Sequence, residues 1–303
     1  MNEIKLLDGA MGTQLLESGL KLPLPIWSGD INLTHPDYIK KIHNSYLDAG
    51  ADILTTNTFR TTPRTYLKNG FSFDIANIRS RKSLVRAVDL AKKVANRNTI
   101  IAGSIAPLED CYEPNLFPGE NCANKEFREL SLWLQDAGVN LILFETMGCW
   151  LEIKSAILST NDLVIPRWMS LVLKDGNRLL DGTDLVKVLS NLLDSDIEMI
   201  LLNCNSSNTT DEAIKLIKNN WTKPWGVYPN VGISMPSKEG IIDKKISINE
   251  FIKQVTKYID AGACVIGACC GSNPYYIKAL RALIDINTKT LCHRFMYYLC
   301  CCI

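Results

Sequence analysis

The sequence predicts a single (β/α)8 barrel of the TIM type, an α/β fold whose site lies at the C-terminal ends of the strands. Eight short β-rich runs alternate with eight longer helical patterns, three helices run into the same small-residue phrase, and no break in composition divides the 303 residues. A doubly wound sheet would not need so regular a count, and no GxGxxG follows the first strand.

Strands are expected at 4–8, 52–57, 99–105, 140–146, 167–172, 198–204, 225–230 and 264–270. Each is a short apolar run bounded by small or polar residues, as buried parallel strands require. Helices are expected at 36–49, 74–95, 124–137, 150–159, 183–193, 210–219, 248–261 and 273–285, with Thr34, Asn124, Thr210 and Ser272 as N-caps. The phrases Ala49-Gly50-Ala51-Asp52, Ala137-Gly138-Val139-Asn140 and Ala261-Gly262-Ala263-Cys264 are helix stops leading directly into strands. The barrel accounts for residues 1–286, and 287–303 form an irregular tail. That tail ends Cys300-Cys301-Cys302-Ile303, but cysteines in the aliphatic positions of a C-a-a-X box argue against prenylation.

Composition bounds the function. Hydrophobic residues make up 47% and charged residues 21%, as in a globular protein with a large core. A net charge of +1 gives no reason to expect nucleic acid or an anionic membrane as partner. The N-terminus carries an early acid and no long apolar stretch, so no secretory signal is expected, and no run approaches a membrane span. Eleven cysteines then point to a reducing cytoplasm, where thiols are core residues, metal ligands or nucleophiles rather than disulfides.

The strand ends carry polar groups: Asp8-Gly9, Thr56-Asn57, Ser104, Glu145-Thr146, Asn203-Cys204-Asn205, Asn230 and Cys269-Cys270. Cys204 ends the sixth strand and Cys269-Cys270 the eighth, so alternate strands bring three thiols to one layer of the barrel. Neighbouring side chains on a strand point to opposite faces, so the adjacent pair can meet one ion only if the chain bends there, which Gly271 permits. Three thiolates suit Zn2+ and leave its fourth position open. Cys264, inside an apolar run, reads as core, and Cys111, Cys122, Cys149 and Cys292 join no constellation. Glu145 follows four apolar residues and the core cannot satisfy it, so it pairs with a ligand ammonium, acts as a base, or bridges to a neighbouring Lys or Arg. Asp8 is similar, with Gly9 giving a ligand or backbone close access. Asn57 and Ser104 read more simply as turn-fixing residues. No histidine falls at a strand end, and no strand end carries a Schiff-base lysine.

The motifs Leu7-Asp8-Gly9-Ala10-Met11-Gly12-Thr13, Ala49 to Phe59, Phe144-Glu145-Thr146, Asn203-Cys204-Asn205 and Gly267 to Gly271 resemble the zinc-dependent homocysteine S-methyltransferases. The resemblance runs from about residue 4 to 286. It implies Cys204, Cys269 and Cys270 as zinc ligands, through which they act in catalysis. It implies Asp8 and Glu145 near the homocysteine amino group, Gly9 and Thr56 around its backbone and carboxylate, and Asn230 as a further group beside zinc. It also implies two small-molecule substrates, homocysteine and a cationic methyl donor, with methionine as product. A stand-alone enzyme using a sulfonium such as S-methylmethionine is the most similar type, helped by Pro25-Ile26-Trp27-Ser28. The betaine branch fits less well, because its tyrosines are replaced by Arg60 and Thr146. Betaine or another onium donor, or a non-catalytic zinc-binding or thiol-binding barrel, are the alternatives. The number of chains that assemble is left open.

Overall fold

A computed structural model describes residues 3–233, 237 and 240–286. Eight parallel strands form one sheet: β1 Lys5–Leu6, β2 Ile53–Thr55, β3 Ile100–Ile105, β4 Leu141–Met147, β5 Arg167–Leu171, β6 Met199–Asn203, β7 Trp225–Tyr228 and β8 Val265–Ile266. β1 pairs with β8 in the register Lys5↔Val265 and Leu6↔Ile266. The last seam, between β1 and β2, is narrow: a bridge at Leu7↔Ile53 and a hydrogen bond from the Asp8 amide to the Ile53 carbonyl (3.0 Å). The barrel expected from the sequence is therefore present.

The helices are α1 Pro36–Asp48, α2 Phe73–Val94, α3 Glu120–Ala137, α4 Trp150–Leu158, α5 Leu185–Leu193, α6 Ser207–Asn220, α7 Ile248–Asp260 and α8 at 274–286. The glycines of the three repeated phrases, Gly50, Gly138 and Gly262, have φ of 99°, 82° and 108°, the left-handed geometry that ends a helix cheaply. Alternation along the strands divides the core in two. Leu7, Ile53, Ala102, Leu141, Leu143, Leu201, Tyr228 and Val265 belong to a cluster made of strand residues alone, which is the barrel interior. Ile142, Phe144, Ile200 and Leu202 pack instead with helix residues such as Phe127, Leu134, Val188 and Ile214.

Several boundaries differ from the sequence reading. The ladder stops at Leu6, Thr55, Asn203, Tyr228 and Ile266, short of Asp8, Asn57, Cys204, Asn230 and Cys270, because those residues turn out of the sheet. None of the four proposed N-caps caps its helix. Thr34 closes a separate short helix, Ile31–Thr34, and His35 precedes α1. Asn124 and Thr210 lie inside α3 and α6, which begin at Gly119 and Ser206. Ser272 accepts instead from the Ala10 amide (3.0 Å), tying the β8 loop to the β1 loop. An antiparallel hairpin after β5 (Leu173–Asp175 with Arg178–Leu179) and short helices at Met11–Glu17 and Pro63–Lys68 are additional. Residues 287–303, expected as a tail, lie outside the described residues. No helix among the described residues is long and apolar enough to cross a membrane.

Candidate metal and substrate site

At the C-terminal mouth of the barrel a cleft encloses about 1120 Å³ of empty space, its open side included. Asp8, Gly9, Thr56, Glu145, Cys204, Cys269 and Cys270 all line it. Of the site residues expected from sequence, only Asn230 is not on its wall.

The three thiols come together. Their sulfurs all lie within 4.8 Å of one another. Cys204 Sγ is 3.9 Å from Cys270 Sγ, and Cys269 Sγ is 4.0 Å from Cys270 Sγ. Ligands on a tetrahedral zinc at ~2.3 Å stand roughly 3.8 Å apart, so both separations match that geometry. Cys204 and Cys269, with Cα atoms 5.8 Å apart, are in disulfide contact, which departs from the expectation of free thiols throughout. Opening that pair leaves the donor set a metal needs. Beside it, Asn230 donates through Nδ2 to the Cys204 carbonyl (3.1 Å), and its buried Oδ1 has no hydrogen-bond partner among the described residues.

Local backbone explains the convergence. Cys204 has φ 55° and Thr146 has φ 61°, both in the left-handed region. Such residues cost on the order of 1–3 kcal/mol each and persist only where neighbours hold them. Asn203 is that neighbour. Its Oδ1 accepts from the Thr146 amide (3.1 Å) and from Ser170 Oγ (2.7 Å), while its Nδ2 donates to Thr146 Oγ1 (2.8 Å). Asn205 adds a bond from the Leu173 amide (2.7 Å) and one to the Leu171 carbonyl (3.1 Å). After β8 the chain bends as the paired cysteines require. The Cys269 amide bonds to the Pro229 carbonyl (2.8 Å), Gly271 takes φ 81°, and its amide bonds to Thr13 Oγ1 (3.0 Å).

Two carboxyls occupy the floor. Asp8 is 3% exposed, and its Oδ2 accepts from the Thr55 amide (2.9 Å). Burial pushes its pKa up to about 8 against that hydrogen bond, and Glu145 adds to the rise. Burial likewise pushes Glu145 up to about 7, opposed by hydrogen bonds from Ser104 and Tyr228. Ser104 Oγ bonds to Glu145 Oε1, and Tyr228 OH donates to Oε2 at 3.4 Å. Neither acid has a cationic side-chain partner among the described residues, so an ammonium on a ligand would relieve both. Gly9 is held against Tyr46, whose ring would meet an added Cβ at 2.7 Å. Thr56 Oγ1 is taken up by Thr58 Oγ1 (2.8 Å) and the Ser104 amide (3.1 Å). Asn57 is structural, bonded to Ser28 and Asn32 in a buried network.

Other residues were not singled out by the strand-end argument. Tyr228 ends β7 itself. Phe59, Arg60 and Tyr112 line the cleft with Trp27, whose ring fills the space an added Cβ on Gly12 would need. Cys111, which joined no constellation, lines it too, and burial raises its thiol to about 12.

A sequence model of the homocysteine S-methyltransferase family matches residues 5–284. Homocysteine S-methyltransferase 2 of Arabidopsis thaliana is 27% identical, over 94% of each chain. A selenocysteine methyltransferase of Astragalus bisulcatus is 26% identical, over 91% of each. Among solved structures, the metallated form of the homocysteine methyltransferase MmuM from Escherichia coli superposes with a TM-score of 0.80 at 26% identity, covering 93% of this chain and 96% of its own.

Proposed function

Since the chain belongs to the homocysteine S-methyltransferase family, we propose that it moves a methyl group from a sulfonium donor to the thiol of homocysteine at a zinc held by Cys204, Cys269 and Cys270. The observation that carries this reading is the meeting, in one cleft, of three thiols and two buried carboxyls that have no cationic side-chain partner among the described residues.

Asp8 and Glu145 would receive the homocysteine ammonium, each giving up the proton that burial makes it keep. Ser104 and Tyr228 hold Glu145 toward that ammonium, and Gly9 and Thr56 flank the amino-acid backbone. Zinc, when bound, supplies the positive charge that lets a thiol near it lose its proton at neutral pH, where a free thiol of pKa ~8.5 is mostly protonated. Asn230 is suited to stand beside the metal, its Oδ1 being buried without a partner. The new carbon–sulfur bond forms on homocysteine as the donor's carbon–sulfur bond breaks. The electron pair leaves with the now neutral thioether, so no general acid is required. That agrees with a cleft that no histidine lines among the described residues.

Protein purified under reductant is expected to hold about one zinc per chain, as three thiolates and an open position imply. Metal analysis should show zinc lost in Cys204→Ala and kept in Cys111→Ala. The reverse pattern would remove the ligand assignment.

A further inference from the structure

The cleft contains a charge that the reading above does not use. Arg60 lines the cleft with its guanidinium carbon 5.3 Å from the centroid of the Phe59 ring. Phe59 in turn meets Trp27 edge-on, with centroids 6.1 Å apart. One Arg60 nitrogen, Nη1, donates to the Glu109 carbonyl (2.7 Å), which fixes the group in place. Arg60 has no ion pair among the described residues, although the buried Glu152 is near enough to feel its charge. None of the acids nearby takes its fork. Glu109 is bonded by Arg64 and Lys68, Asp110 accepts from the Tyr112 amide (3.0 Å), and Glu152 accepts from the Leu108 amide (2.8 Å).

A guanidinium has five N–H donors in a planar fork, so one carbonyl and one ring face leave most of it free. An oriented fork with no ion-pair partner selects a planar anion, and a carboxylate fits it bidentately. In the reading above the homocysteine ammonium is taken by Asp8 and Glu145 and its backbone is flanked by Gly9 and Thr56, so the anion left for Arg60 belongs to the second substrate. We propose that Arg60 binds a carboxylate on the methyl donor and so determines which donors are used. The inference rests on the methyl-transfer reading and narrows it to onium compounds that carry a carboxylate. The same residue acts by repulsion: an onium without a carboxylate would face a bare like charge across the cleft.

Matched donors test this. S-methylmethionine and its carboxamide differ only in the acid, as do dimethylsulfoniopropionate and its methyl ester. With homocysteine as acceptor, wild-type enzyme is expected to favour the acid of at least one pair by about 10- to 100-fold in kcat/KM, mainly through KM. Arg60→Met should bring that ratio close to one, leaving zinc content and the KM for homocysteine unchanged, and Arg60→Lys should restore part of it. Equal losses for acid and neutral donors, or a ratio unchanged in Arg60→Met, would overturn the proposal while the methyl-transfer reading stood. A wild-type enzyme that shows no preference would do the same, whether or not the variants fold. No turnover with any donor would remove that reading and this one with it.

Discussion

Asp8 and Glu145, with the buried Glu152 raised to about 7 and the buried His43 lowered to about 4, shape the pH behaviour of this enzyme. The ordinary values of Asp8 and Glu145 are 3.8 and 4.5, and burial raises them to about 8 and about 7. The unfolded chain releases these protons near pH 4, while the folded, ligand-free chain keeps them until pH 7–8. Stability therefore declines as pH rises through that window and levels off above it. A Tm series from about pH 6.5 to about pH 8.5, above the range where buried His43 works in the opposite direction, should fall for metal-free wild type and fall less in Asp8→Asn/Glu145→Gln, where Glu152 remains raised. Equal slopes in the two proteins would show that Asp8 and Glu145 are not held neutral. The same acids should matter for binding. Glu145→Gln is expected to weaken homocysteine binding by roughly 10- to 100-fold, the loss of a buried charge-assisted bond, with zinc content unchanged. Calorimetry alongside metal analysis separates that outcome from collapse of the site. These acids and the three cysteines were legible in the sequence because each is a polar residue at the end of an apolar run. Arg60, Tyr112 and Cys111 were not. They sit on connections after β2 and β3, and which loop side chains face the mouth depends on how those loops pack.

Among the elements, the strand ends matter more than the strands. The apolar runs announce the strands through burial on both faces, but not where the ladder stops. Hydrogen bonding to a neighbour decides that, and most of the site lies just past that point, Glu145 being still inside β4. Helix starts were misread for a related reason. Thr34, Asn124 and Thr210 have capping chemistry, yet Ile31–Thr34 is a helix of its own, and α3 and α6 each begin several residues earlier. What holds the ends of β4, β5 and β6 together is Asn203, bonded to Thr146 and Ser170. Asn203→Ala is expected to cost about 1–3 kcal/mol in urea unfolding, since it strands buried polar partners. It should also weaken zinc binding, because the left-handed turn at Cys204 loses its support. A variant with wild-type stability and wild-type zinc affinity would show that this turn holds itself.

For the molecule as a whole, metal and fold should be coupled, because the three thiols come from β6 and β8 on opposite sides of β7. A ligand that binds only the folded state stabilises it by RT ln(1 + [L]/Kd), which is about 2.7 kcal/mol at one hundred times Kd. Adding zinc to reduced, metal-free protein should therefore raise Tm, and the rise should vanish in Cys270→Ala. The seam between β1 and β2 bears on assembly in a different way. Asp52 Oδ2 accepts from the Leu6 amide (2.8 Å) and from Arg281 Nη2 (2.6 Å), and Arg281 also donates to the Gly50 carbonyl at 2.7 Å. Arg281, on α8, thus fastens the seam from outside, and β1 finds its other neighbour in β8, some 260 positions later. On the ribosome, where residues emerge in order, β1 can meet β2 early, but its other edge must wait for β8, until nearly the whole barrel has been translated. Cys269 and Cys270 emerge just after β8, so until then a nascent chain has only one of the three thiols of this site.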